Sequence, residues 1–174
     1  MPESLANESA AAAPTLQIAQ QTSLLSIIPT GLSSEVNEPS VTITGDGSHV
    51  FETGNWYAAL SSDGGETFSH INPITAFPSV NGGFCCDQGT VYAVKHDLVV
   101  WEIMYQYDSL GNNTVRLAVA AGPTKLDSGT WTYYDLTPQM FGIAPGHWFD
   151  YPTYLSPTTT FTLRPTFSTE VASG

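Results

Sequence analysis

The chain has 174 residues, room for one domain with a sizeable core, and sets four Lys and Arg against sixteen Asp and Glu for a net charge of −12. That balance excludes nucleic-acid binding, where Lys and Arg must neutralise phosphates, and attraction to an anionic membrane surface. Only 11% of residues are charged while 41% are hydrophobic, with four Trp, eight Tyr, eight Phe, fifteen Gly and twelve Pro; a disordered acidic tail is excluded too, and a turn-rich all-β fold is expected.

Residues 1–33 are rich in Ala, Ser, Gln and Thr and read as a low-complexity segment or linker, with Leu24, Leu25, Ile27 and Ile28 as a candidate short strand. No basic n-region and strong apolar run mark a secretory signal there, and no apolar run reaches the ~20 residues that span a bilayer. Over residues 34–140 short β-rich runs alternate with Gly, Asp, Asn and Pro. The first set comprises Val41–Thr44, His49–Glu52, Trp56–Leu60 and Thr67–Ile71; the second comprises Thr90–Val94, Leu98–Tyr105, Thr114–Ala120 and Thr130–Tyr134. Several of these runs are almost wholly apolar, as in sheets packed on both faces.

A four-stranded antiparallel meander repeated along a chain is the unit of a β-propeller, so two blades plus the start of a third are expected. A two-sheet sandwich is the alternative that composition permits. The third set opens at Trp148-Phe-Asp150-Tyr-Pro152 within residues 141–174 and then gives way to an aberrant tail, Ser156-Pro-Thr-Thr-Thr-Phe. A truncated or frameshifted reading frame is the expectation there. A partial propeller that closes its ring by forming a homo-oligomer is the competing one.

Chemistry-bearing residues fall into a few groups. NEPSVTI, CDQGTVY and FDYPTYL each place an acidic residue just ahead of a strand: Glu38, Asp87 and Asp150. If the innermost strands line a central channel, these carboxylates could converge near its rim, and two carboxylates about 5–10 Å apart suffice for glycoside hydrolysis. Acids at strand starts more often serve as turn or cap groups. A calcium site could draw on the same oxygens, but no loop motif marks one, and no metal or other cofactor is expected. Adjacent Cys85 and Cys86 can be two buried thiols, a vicinal disulfide stiffening the approach to Asp87, or a metal site. The last is disfavoured because His49, His70, His96 and His147 show no ligand spacing to them. Trp56, Trp101, Trp131 and Trp148, with Tyr57, Tyr133, Tyr134 and Tyr151, offer faces for stacking on sugars or simply fill blade cores. Asn112-Asn-Thr114 fits a glycosylation sequon.

One motif points to a family. Ser61-Ser-Asp63-Gly-Gly65-Glu-Thr67-Phe68 fits S-x-D-x-G-x-T-[FW] and resembles the Asp-box, or bacterial neuraminidase repeat, of sialidase-like β-propellers. TGNWYAALSSDGGETF, GFCCDQ, NNTVRLAVA and HWFDYP extend that resemblance over roughly residues 35–155. The second set keeps Gly129-Thr130-Trp131 but has Ala118-Val-Ala120 in place of Ser-x-Asp. The resemblance implies an Asp-box turn between the third and fourth strands of a blade, in which Asp63 accepts turn amides, Gly65 takes positive φ and Phe68 packs beneath. It also implies an exported, extracellular or cell-envelope protein that acts on or binds carbohydrate or glycoconjugates. Sialidase chemistry in that family uses three Arg to hold a substrate carboxylate, a Tyr nucleophile assisted by Glu, and an Asp acid/base. With only Arg116 and Arg164 in the chain, that catalytic set is incomplete here.

Overall fold

The computed structural model describes residue 18, residues 20–32 and 38–150, and the backbone of three short strands beyond them. Strands β1 (Ser40–Ile43), β2 (Val50–Thr53), β3 (Ala58–Ser61) and β4 (Ser69–Ile71) form one antiparallel meander in chain order. Strands β5 (Phe84–Ala93), β6 (Leu98–Tyr105), β7 (Thr114–Ala121) and β8 (Thr132–Leu136) form a second. The fold is therefore all-β, built from two four-stranded blade-like sheets. They lie side by side, with β1 packed against β5, and do not close a ring among the described residues. Beyond them β9 (Trp148–Phe149) pairs with β12 (Phe167–Ser168), and β10 (Thr153–Leu155) pairs with β11 (Thr162–Arg164). That pairing differs from the meander order of the first two sheets.

The β6 run Leu98-Val-Val-Trp-Glu-Ile-Met-Tyr is apolar on both faces except for the buried Glu102, because both faces are covered. Val99, Trp101, Ile103 and Tyr105 point toward the first sheet, where Phe51, Ala58 and Phe77 meet them. Trp101 is wholly buried, with the Phe51, Phe77 and Trp131 rings 5.2 to 5.5 Å from its own. Met104, on the alternate face, joins Cys85, Val115 and Phe149 in a second cluster. Fully burying one such side chain contributes roughly 1.5–3 kcal/mol, so the sheet interface is the main source of stability. By contrast, Val41 and Ile43 on β1 remain exposed.

Arg116 of β7 is as buried as the hydrophobes around it. Its Nε and Nη2 donate to the two carboxylate oxygens of Asp135, its cross-strand partner on β8, at 2.6 and 2.7 Å. Nη1 donates to Pro78 O and the Tyr105 hydroxyl, and the Tyr105 and Tyr133 rings lie 4.7 and 4.3 Å from the guanidinium carbon. A guanidinium so paired is a cross-strand lock.

The hairpin turns are held by short polar side chains. Between β1 and β2, Asp46 accepts from the Thr44 hydroxyl and from both the amide and hydroxyl of Ser48. Between β3 and β4, Asp63 accepts from the Thr67 amide at 2.9 Å and the Thr67 hydroxyl at 2.6 Å, while Ser61 Oγ accepts from the Gly65 amide at 2.8 Å. Gly65 sits at φ +94°, closed to a side chain without strain, and the Phe68 ring lies beneath it. The Gly64 amide donates to Ser48 O, tying the two turns together.

Several local expectations are corrected. Leu24 to Ile28 form a hydrogen-bonded turn instead of a strand, with the Ile27 and Ile28 amides both donating to Leu24 O. Among the described residues no neighbouring strand offers them a ladder. The β7–β8 connection, which follows Ala118-Val-Ala120 at the end of β7, contains a short helix, α1 (Gly122–Asp127), with Pro123 pre-set for its first turn. Asn112 of the sequon is buried, its amide turned toward Asp108. Strand β5 begins six residues before the Thr90 run, because β6 supplies ladder partners as far as Tyr105.

The sheets are pinned together by Gln88 on β5. Its Nε2 donates to Gly54 O at 2.6 Å and Tyr57 O at 3.1 Å, and its Oε1 accepts from Trp101 Nε1 at 2.9 Å. Gln88→Leu strands these buried groups and is expected to cost about 2–3 kcal/mol, read as a lower urea midpoint with an unchanged m-value.

Candidate functional site

The antiparallel topology sorts the loops onto two ends. At one end lie the β1–β2 and β3–β4 turns and α1. There Asp127, at the end of α1, accepts from the Ser62 hydroxyl at 2.6 Å and meets His49 Nε2 at 3.0 Å, joining the two sheets. At the other end lie the entry to β1, the β2–β3 turn, the early part of β5, the β6–β7 loop and the end of β9. Glu38, Asp87 and Asp150 are all at this second end.

Each acid is placed by a polar clamp or an irregularity. Glu38 is held by the β2–β3 turn: its amide donates to Asn55 Oδ1 at 3.2 Å, and Asn55 Nδ2 donates to Glu38 Oε2 at 3.3 Å. Asp150 follows Phe149, which Asn113 grips from the β6–β7 loop; Asn113 Nδ2 donates to Phe149 O and its Oδ1 accepts from Phe149 N. Asp87 does not precede its strand. It lies inside β5, in a bulge where Phe84 pairs with Tyr105 and Gln88 with Ile103, leaving Cys85, Cys86 and Asp87 off the regular ladder. Bulges re-aim side chains, and this one sets the Asp87 carboxyl against that of Glu38.

The electrostatics follow from that placement. Partial burial, then the charge of Glu38, then its hydrogen bond to Glu38, and finally the charge of Asp150 push the Asp87 carboxyl up to about 6. Two neighbouring carboxylates resist ionising together, so the pair holds a proton that an isolated Asp would release. Glu38 is half-buried and Asp150 exposed, so solvent reaches the group from one side. Half-buried Trp56, on the same turn as Asn55, stands edge to face with Phe84 at 5.9 Å. A protonated carboxyl beside a carboxylate can donate a proton while its neighbour accepts one or attacks.

Other residues singled out from the sequence are used differently. Arg116 is consumed by Asp135 and does not offer its fork to a ligand. Tyr57 donates to Glu52 Oε1 at 3.1 Å, but burial and the Glu52 charge push its phenol up to about 12, the opposite of an activated nucleophile. Trp101 and Trp131 belong to the core, whereas Tyr133 and Tyr134 are exposed. Cys85 and Cys86 are joined to each other as a vicinal disulfide. Tyr151 lies outside the described residues, and of Arg164 only the backbone is described. Among the described residues no three His, Cys, Asp or Glu side chains are arranged to hold a metal ion, and no helix is long and apolar enough to cross a membrane. Nothing in the sequence marks Asn55, Asn113 or Gln88 for these roles; Asn55 and Gln88 are amides beside a glycine, and Asn113 lies between Asn112 and Thr114.

Comparison of the chain with protein-family models, with characterised proteins and with solved structures gives no match.

The carboxyls at the two ends make opposite contributions to stability with pH. Asp87 is raised above its unfolded value, so its contribution is complete below about pH 4 and is lost as pH rises through about 6. Asp46 and Asp63, lowered to about 2 by hydrogen bonds from Thr44 and Ser48 and from Thr67 and Ser61, contribute above about pH 4 and lose that contribution as pH falls through about 2. Denaturant midpoints measured across pH should therefore peak at about pH 4–5. Asp87→Asn should flatten the decline toward neutral pH and leave the acid-side loss in place.

Proposed function

We propose that this chain is part of a sialidase-like β-propeller of an exported carbohydrate-active protein, with Glu38, Asp87 and Asp150 as its acid–base site. The blade-like pair of sheets and the Ser61–Phe68 turn support the architecture. The observation that carries the chemistry is the Asp87 carboxyl raised to about 6 beside Glu38. In this reading Asp87 donates its proton to the glycosidic oxygen and Glu38, hydrogen-bonded to it, holds that proton in place. Asp150, which acts on Asp87 through charge alone, is the second carboxylate, because the two carboxyls of a glycosidase stand about 5–10 Å apart, farther than a hydrogen-bonded pair. Sialidase chemistry proper is the weaker match, because Arg116 is committed to Asp135 and Tyr57 is held protonated. The vicinal disulfide fits an oxidising, extracellular or envelope compartment.

A panel of chromogenic glycosides incubated with the full chain at about pH 5 tests this reading. Hydrolysis of at least one glycoside is expected, falling 10²–10⁴-fold in Asp87→Asn and declining above about pH 6 as the acid ionises. Turnover equal in wild type and variant, or none across the panel, rejects it. A binding module is the second reading, favoured by the Trp56–Phe84 pair beside the carboxyls. It predicts glycan retention without turnover, abolished by Trp56→Ala.

The exposed Val41 and Ile43 on β1 support assembly of copies into a closed ring. Light scattering should then return a multiple of the chain mass, and a clean monomer would exclude that assembly.

A further inference from the structure

The bulge that carries Asp87 is also where the two cysteines are joined. Adjacent side chains of a strand point to opposite faces, so neighbours do not ordinarily share one. Here Phe84 before the bulge and Gln88 after it both face the Trp101 side, through packing and through the indole hydrogen bond. Cys85 and Cys86 nevertheless both lie on the other side, where Cys85 is buried with Met104, Val115 and Phe149 and Cys86 packs against them. A bond between neighbouring sulfurs demands this shared side, and the extra residues between Phe84 and Gln88 provide the backbone for it.

We propose that the Cys85–Cys86 disulfide is a redox-sensitive clamp: it sets the bulge, holds Asp87 against Glu38, and on reduction lets the two carboxyls separate. The clamp rests on the acid-site reading given above, and Cys85 and Cys86 act as positioning residues within it. A dithiol is the reductant. One of its thiolates attacks Sγ of Cys86, the less buried of the pair, breaking the Cys85–Cys86 bond and forming a mixed disulfide. Its second thiol then displaces Cys86, leaving the reductant as a disulfide and both cysteines as thiols carrying its two protons. Freed of the bond, Cys86 returns to the alternation a strand prefers, and the peptide joining it to Asp87 turns with it. The charged neighbours acting on Asp87 are Glu38, ahead of β1, and Asp150, after β9. The new thiols stay neutral below about pH 7 and add no charge of their own.

Carbon-13 NMR of the Asp side-chain carboxyls, titrated in the oxidised chain and after dithiol reduction, reads the clamp directly, with alkylation and mass spectrometry confirming two free thiols. The same titration on Cys85→Ser/Cys86→Ser needs no reductant. In the oxidised chain Asp87 is expected to titrate near 6. In the reduced chain and the double variant it should move to about 4, the ordinary value, with the β6 and β7 amide resonances unmoved. Titration near 6 in all three overturns the clamp and leaves the acid site standing. An Asp87 that titrates in the ordinary range even when oxidised overturns both. Loss of dispersed amide resonances in the reduced chain and the double variant would make the bond a general staple and also overturns the clamp.

Discussion

Strand β6 is covered on both faces along almost its whole length, and β7 is covered on both over its first half. Trp101, Ile103 and Ala118 look toward the first sheet while Met104 and Val115 look the other way, toward Phe149. A sheet in that position must be covered twice, and the rest of the molecule supplies the two covers: β1–β4 on one side, and β9 with the cysteine pair on the other. Even the one buried guanidinium on this sheet is accommodated on those terms, since Asp135, Tyr105 and Pro78 together meet its donors. Covering the sheet twice also explains why the acids converge. The segments carrying Glu38 and Asp150 belong to the two covers, and Asp87 lies on the first strand of the sheet between them.

The same residue type does opposite work at the two ends. Asp46, Asp63 and Asp127 are exposed and ringed by hydroxyls, amides or a histidine, all of which favour the charged form. Their carboxylates tie turns and bridge sheets. Asp87 loses part of its hydration and gains two acidic neighbours, so its neutral form is favoured. One end therefore favours charged carboxylates that tie turns together, and the other favours a neutral carboxyl.

Much of this was legible in the residues, for identifiable reasons. The β6 limits, Leu98 to Tyr105, coincide with a run that is apolar except for Glu102, because double burial removes most of the polar residues that would blur a boundary. The Ser61–Phe68 turn declares itself because Ser, Asp, Gly and Thr each have a distinct local task there. The early part of β5 was hidden, since Gly-Phe-Cys-Cys-Asp lacks the β-branched residues of Thr90-Val-Tyr and is extended only through its partner β6. Helix α1 was hidden as well: six residues are too few for periodicity, and it is anchored by Leu126 in the core. The amide clamps that place Glu38 and Asp150 act across 17 and 36 residues of chain, a distance over which local pattern carries no information.

The β5 bulge has a parity. From Phe84 to Gln88 the strand advances four residues while its partner retreats two, from Tyr105 to Ile103. The excess is even, so side chains before and after it keep the same facing, and Tyr92 still packs on the same cluster as Phe84. An odd excess would have turned one half of β5 inside out. The Cys-Cys-Asp segment is in this sense a removable cassette: a two-residue deletion would erase the bulge and leave every other contact of the strand in phase. Chemistry at this point of the fold can be gained or lost without remaking the blade that carries it.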